Sequence, residues 1–286
     1  MPDLTLTSQL TYAQELIDSA DSAGAIAVCR RILSALPRCI HVYPLLAEAM
    51  LRRGDMRHAE ALYGRVFSVD PQDARSALGM ALIQRSRNAL RAAQAWLQRA
   101  QESTLDLDLA SAGWLWSAAC KSQADTGMTL SGAGLANLML RSGMFGQAVL
   151  EYQSALTRWP RRDDLAVGLA EAAFRNAEVA SAAEACEGLL LRLPDCVKAL
   201  LILGKLELGT GEDARGRELL RRAQALDPEN RLAQRLFGGD SPLPVRSVRI
   251  PAPETGPLLM LPYLDDAEEG DELEDDAPPP SLQNIL

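Results

Sequence analysis

The chain has 286 residues, 48% apolar but only 5% aromatic, with 29 basic and 38 acidic side chains and a formal charge of −9. Its longest apolar stretches, such as 199–203, fall far short of the ~20 residues of a membrane-spanning helix, so no membrane span is expected. Nine of the 38 carboxylates lie within 265–276, which leaves 29 acidic against 29 basic residues elsewhere; a basic footprint for nucleic acid is absent and nucleic acid is not an expected partner.

Taken in chain order, the predicted elements repeat. Pro37, Pro71, Pro160, Pro194 and Pro228 lie on one 34-residue lattice, with 21 extra residues between the second and third. A fixed period of this length marks stacked helix–turn–helix units, none of which buries its apolar face alone. Twenty-four residues before each proline stand Ala13, Ala47, Ala136, Ala170 and Gly204; twelve before it stand Ala25, Ala59, Ala148, Ala182 and Gly216. Small residues in register mark where two helices cross closely. One place ahead of the first row come Tyr12, Leu46, Leu135, Leu169 and Leu203, and eight before the proline come Cys29, Tyr63, Tyr152, Cys186 and Leu220. Gly54, Gly143 and Gly211, seventeen before the proline, sit where a first helix must end and reverse.

These rows resemble the tetratricopeptide repeat family. Read that way, the units are 6–39, 40–73, 74–107, 129–162, 163–196 and 197–230, the third with Leu105 on the proline row and Asn88 on the glycine row, the first with Ala20 on the glycine row. The resemblance implies an all-α fold, a right-handed superhelix of helical hairpins; Gly127, Ser131, Gly132 and Gly134 suggest a break, so two three-unit blocks (6–107 and 129–230) with some freedom between them are expected. It also implies a protein-binding function, with the first helix of each unit lining a concave groove. The groove rows supply Arg52, Arg75, Leu78, Leu82, Arg85, Asn137, Arg141, Arg175, Lys198 and Lys205 as candidate partner contacts, because apolar stems give contact area and guanidinium forks pair with carboxylates. The clamp by which one subfamily grips chaperone tails is missing: its rows carry Leu10, Gln14, Leu45, Arg75 and Gly79.

The insertion 108–128 reads, with the end of the third unit, as a helix over roughly 106–122 carrying Trp114 and Trp116. It is either a cap closing the first block or an eroded repeat. Beyond 231 a short helix to Phe237 is expected, then a Pro-rich acidic tail that is disordered from about 240, since such composition buries too little apolar surface to offset ordering entropy. Two apolar islands in the tail, with Leu258, Leu259, Leu261 and Tyr263 in one and Leu282, Ile285 and Leu286 in the other, are candidate linear motifs.

No glycine-rich phosphate loop, HExxH or Gly-x-Ser-x-Gly occurs, so no enzyme, catalytic residue or cofactor is expected. Five cysteines do not form a complete disulfide framework; Cys29/Cys39 and Cys186/Cys196, on matching rows, are either small core residues or redox pairs. His41 and His58 belong to no ligand-spaced cluster and no metal is expected. The amino terminus lacks a basic region followed by an apolar one, so a cytoplasmic location is expected. Three functions follow: a scaffold binding an extended or helical peptide, an assembly chaperone or regulator whose own acidic tail plugs the groove, and a nucleic-acid-linked regulator.

Overall fold

Thirteen α-helices carry the computed structural model, which describes residues 5–103, 131–211 and 213–251. In chain order they are α1 (Leu6–Asp18), α2 (Ser22–Ala35), α3 (Tyr43–Arg52), α4 (Met56–Val69), α5 (Ala74–Ser86) and α6 (Leu90–Ser103). Then follow α7 (Gly132–Arg141), α8 (Phe145–Arg158), α9 (Asp163–Arg175), α10 (Val179–Arg192), α11 (Val197–Thr210), α12 (Asp213–Leu226) and α13 (Arg231–Phe237). The first twelve form six antiparallel hairpins that stack side by side into a solenoid. The described residues include no strand beyond one isolated bridge, and no described helix is long and apolar enough to cross a membrane. The predicted helix over 106–122, its tryptophans, the acidic run and both apolar islands lie outside the described residues.

Sterics explain why each hairpin turns where it does. All six positions of the mid-unit row are left-handed: Gly54, Gly143 and Gly211 at φ 89°, 77° and 92°, and Ala20, Asn88 and Ala177 at 67°, 59° and 59°. Each residue turns the chain just past a first helix, and Asp21 and Asp55 then cap the second through the amides of Gly24 and His58. Glycine meets the left-handed requirement freely, whereas a Cβ there costs roughly 1–2 kcal/mol. Ala177→Gly is therefore expected to raise stability by about 0.5–1 kcal/mol once the looser unfolded chain is counted. A urea midpoint that falls would overturn this account of the turn.

The crossing rows touch as their size requires. Ala13, Ala47, Ala136, Ala25, Ala59, Ala148 and Ala182 are all wholly buried. In the last unit a Cβ at Gly216 would stand 2.9 Å from the carbonyl oxygen of Gly204, so these helices meet backbone to backbone. Between units a second close approach occurs. The buried rings of Tyr63 and Tyr152 lie where a Cβ on Gly79 and Gly168 of the next unit would be. Those two glycines let each tyrosine stack on the following first helix.

The two blocks are in contact. The array curls until its halves meet, and buried charge fastens the junction: Arg162 pairs with Glu102 at 2.7 Å and Arg99 with Asp164 at 3.2 Å, both carboxylates being 5% exposed. Further round, Arg38 pairs with Asp195 at 2.8 Å, His41 with Asp227 at 3.0 Å, and Gln72 donates to the Asp164 carbonyl at 2.9 Å.

One correction concerns residues 241–251, which form an extended strap instead of disordered chain. The Leu6 amide donates to the Val248 carbonyl at 2.7 Å, beside the Thr5–Arg249 bridge. Glu229 accepts from the Val248 and Arg246 amides through its side chain and carbonyl, and from the Thr7 hydroxyl at 2.8 Å. Asn230 and Gln234 donate to the carbonyls of Pro244 and Leu243, and Ile250 is buried. Proline density argued for disorder, but these bonds satisfy the strap's backbone, and the strap ties the last unit to the first helix.

Candidate functional site

The inner wall of the closed array holds two copies of one charged arrangement. In the first block Glu48 lies between Arg52, one turn on at 3.8 Å, and Arg75 of the next unit at 2.6 Å. In the second, Glu171 lies between Arg175, one turn on at 3.0 Å, and Lys198 of the next unit at 2.9 Å. Both triads use the same lattice rows. Their outer hydrogen bonds are also alike: Arg75 donates to Gln14 and Lys198 to Gln72.

The two central carboxylates nevertheless differ. Burial pushes Glu48 up from its ordinary value, and the neighbouring guanidiniums of Arg75 and Arg52 only partly offset this. Glu171 is buried too, yet Lys198 and Arg175 prevail and hold it below the ordinary range. The same balance holds Asp164 down against its burial, through Arg99 and Arg162, and holds Asp227 down through His41 and the Leu232 amide.

The structure gives each sequence-predicted groove residue a place. Arg52, Arg75, Arg175 and Lys198 are engaged by internal carboxylates. Leu78 is wholly buried core and Leu82 is half-buried against it. Arg85 is half-buried in the last turn of α5. Asn137 accepts from the Tyr152 hydroxyl at 2.7 Å, so it holds the core tyrosine in place. Arg141 donates to the Ser103 carbonyl at 3.0 Å. Lys205 donates to the Asp240 carbonyl at 2.7 Å and lies 4.6 Å above the Phe237 ring, which fastens α13. The tail residues Leu258, Leu259, Leu261, Tyr263, Leu282, Ile285 and Leu286 lie outside the described residues.

The sequence reading missed Glu48 and Glu171 as the partners of these bases, although their i,i+4 spacing to Arg52 and Arg175 is a visible signal.

Between the blocks the wall opens into a cavity of about 420 Å³. Leu10, Ile40, Pro44, Leu45, Val66 and Leu232 supply its apolar lining, and Asp70, Asp73, Arg75, Arg231 and Arg235 bring charge of both signs. Thr11 and Arg235 are exposed at its edge. An apolar hollow with a few convergent polar groups is the usual form of a small recognition site.

The four described cysteines are free and wholly buried. Burial pushes the thiols of Cys29, Cys39, Cys186 and Cys196 up to about 12, which suppresses the thiolate that redox chemistry needs. Among the described residues no group of His, Cys, Asp and Glu is placed to hold a metal ion.

Comparison with known proteins finds one family model and several solved structures that resemble the chain. The tetratricopeptide repeat family model matches residues 134–192 and 182–231. Among solved structures, the tetratricopeptide domain of P58(IPK) is 16% identical over 80% of this chain and 62% of its own length, with a TM-score of 0.35. The Cut9–Hcn1 hetero-tetramer of the APC/C is 13% identical over 81% of this chain and 48% of its own, with a TM-score of 0.37. The chain thus spans about half to three-fifths of those chains. No curated protein matches it in sequence. The family's repeats are thus matched across 134–231 and hairpins of the same lattice are built by 6–103: the described chain is an all-α hairpin solenoid that carries tetratricopeptide repeats in its second half.

Proposed function

We propose that the protein is a scaffold that takes an extended or helical segment of another protein into the cavity between its blocks. The observation that supports this is the cavity's lining: an apolar floor from α1, α3, α4 and α13, with Asp70, Asp73 and Arg235 around it. A segment presenting an apolar side chain flanked by charge fits that chemistry better than one relying on charge alone, because Arg52, Arg175 and Lys198 are already engaged by internal carboxylates. That same engagement weighs against a tail that plugs the groove and against phosphate contacts along it. No chemistry beyond binding is proposed.

Affinity capture from the source cell tests this reading. Thr11→Trp should block the cavity mouth and Arg235→Glu should invert its charge, and both positions are exposed, so the fold is retained. Proteins held by the wild type and lost with both variants would be cavity ligands. Equal capture by all three chains would move binding off this surface.

A further inference from the structure

The cavity of about 420 Å³ lies at the seam where the first block meets α13, and its charges sort unevenly once each has its partner. Arg75 is taken by Glu48 at 2.6 Å, Arg231 by Glu229 at 2.7 Å and His41 by Asp227 at 3.0 Å. That leaves Asp70, Asp73 and Arg235, none of which pairs with an opposite charge among the described residues.

The two aspartates turn the chain between α4 and α5. Asp70 ends α4 and accepts from the Gln72 amide at 3.1 Å, and Asp73 caps α5 through the Ser76 amide at 2.6 Å. Asparagine caps a helix as well as aspartate does, so the turn by itself does not account for a negative charge at either place. The lattice supplies a contrast. In the last unit the equivalents of Asp70 and Asp73 are Asp227 and Asn230; there the carboxylate is engaged by His41 and the Leu232 amide, and the second position is neutral. Asp70 and Asp73 are instead both half-buried at the wall of an apolar hollow. Burial and then the charge of Asp70 push the Asp73 carboxyl up from its ordinary value, and the bonds from Ser76 and the charge of Arg75 offset this only in part. Arg235 comes to the same hollow from α13 with its side chain exposed. Its charge and that of Asp70 act on Lys198 with opposite sign, which places both within electrostatic reach of one side chain.

We propose that the cavity recognises a segment in which an arginine or lysine adjoins a bulky apolar residue, the apolar side chain filling the floor and the cation lying between Asp70 and Asp73. This rests on the reading of the cavity as a peptide site and adds the sign of the charge that the site selects. A cation relieves the repulsion between the two carboxylates, and its long stem covers apolar wall while its head stays at the wet edge. Its bonds to carboxylate oxygens are charge-assisted and stronger than neutral ones. Arginine is favoured over lysine, since its planar fork meets two acceptors at once. A carboxylate farther along the segment faces Arg235, which gives the bound segment a direction.

The test is selection of a displayed library of random short peptides on the full chain. The wild type should enrich peptides with arginine or lysine beside a bulky apolar residue. Asp70→Asn and Asp73→Asn keep the acceptors of the turn, so circular dichroism and melting should be unchanged. Each should nevertheless weaken the tightest selected peptide about tenfold, read by anisotropy. Replacing the peptide's arginine by neutral citrulline should cost as much on the wild type and little on the chain carrying both asparagines. Enriched peptides without a base beside the apolar residue, or affinity indifferent to both aspartates, overturn this inference and leave a cavity blind to charge. No enrichment at all, or selected peptides that Thr11→Trp binds as well as the wild type does, overturn the cavity as a peptide site and the inference with it.

Discussion

Ala148→Arg is expected to unfold the second block. The residue is wholly buried in α8 on the row that crosses the preceding helix. The equivalent crossing in the last unit brings two backbones so close that a Cβ on Gly216 would stand only 2.9 Å from the Gly204 carbonyl oxygen. A guanidinium there overpacks the crossing and strands a charge, together costing about 4 kcal/mol or more. That is a large share of the ~5–15 kcal/mol that holds a domain of this size. Ala59→Arg should do the same in the first block, where Ala59 is equally buried. Far-ultraviolet circular dichroism against temperature checks both variants. Unaltered melting would mean that the 34-residue register is misplaced, since a shift of one residue would put these side chains elsewhere on the helix.

The register was legible because it rests on sterics that every unit must satisfy. A crossing needs a small residue and a reversal needs a left-handed one, whatever else changes. The third unit shows how far this holds: Asn88 stands where other units have glycine, yet its φ of 59° is the same solution by the residue that best tolerates it. Ala20 and Ala177 adopt it too, with no side-chain advantage, and so the row could be found only by counting from the prolines. Gly79 and Gly168 were not legible as close approaches, because the clash they avoid comes from a tyrosine sixteen residues earlier in another hairpin.

Closure was hidden for a different reason. Arg38 and Asp195, His41 and Asp227, and Thr7 and Glu229 lie 157 to 222 residues apart, and no local pattern joins them. The strap misled the reading through composition. Pro242 and Pro244 cannot donate hydrogen bonds, but the carbonyls of Leu243 and of Pro244 itself accept, and Gln234 and Asn230 supply the donors. At the inner wall Arg52 and Arg175 stand at a visible i,i+4 spacing from Glu48 and Glu171, whereas the cross-unit pairs with Arg75 and Lys198 join no local pattern.

Glu171→Gln is expected to destabilise the protein by about 3 kcal/mol at neutral pH, whereas Glu48→Gln should change stability by less than about 1 kcal/mol or raise it. The two positions are lattice equivalents, and only the balance of burial against pairing separates them. Removing the Glu171 charge leaves Lys198 and Arg175 facing each other behind the seam, where Lys198 also holds Gln72 of the other block. At Glu48 burial outweighs the pairing, and a neutral amide still accepts from Arg75 while sparing the charge. Their pH dependence has opposite sign. Glu171 binds its proton less tightly when folded, so its contribution is whole above the ordinary carboxylate value of about 4 and is lost as pH falls through its lower folded value. Asp164 and Asp227, also held down, act in the same direction and on the same half of the array. Glu48 and Asp73, both pushed up by burial, favour the folded first block as they take up protons. Acid should therefore loosen the second block and the seam before the first block, and the deficit of Glu171→Gln should shrink as pH drops below about 4. Urea midpoints of both variants at neutral and acid pH decide the matter: equal losses at the two positions, or a Glu171→Gln deficit that ignores pH, would show that pairing at the inner wall does not set the stability of this array.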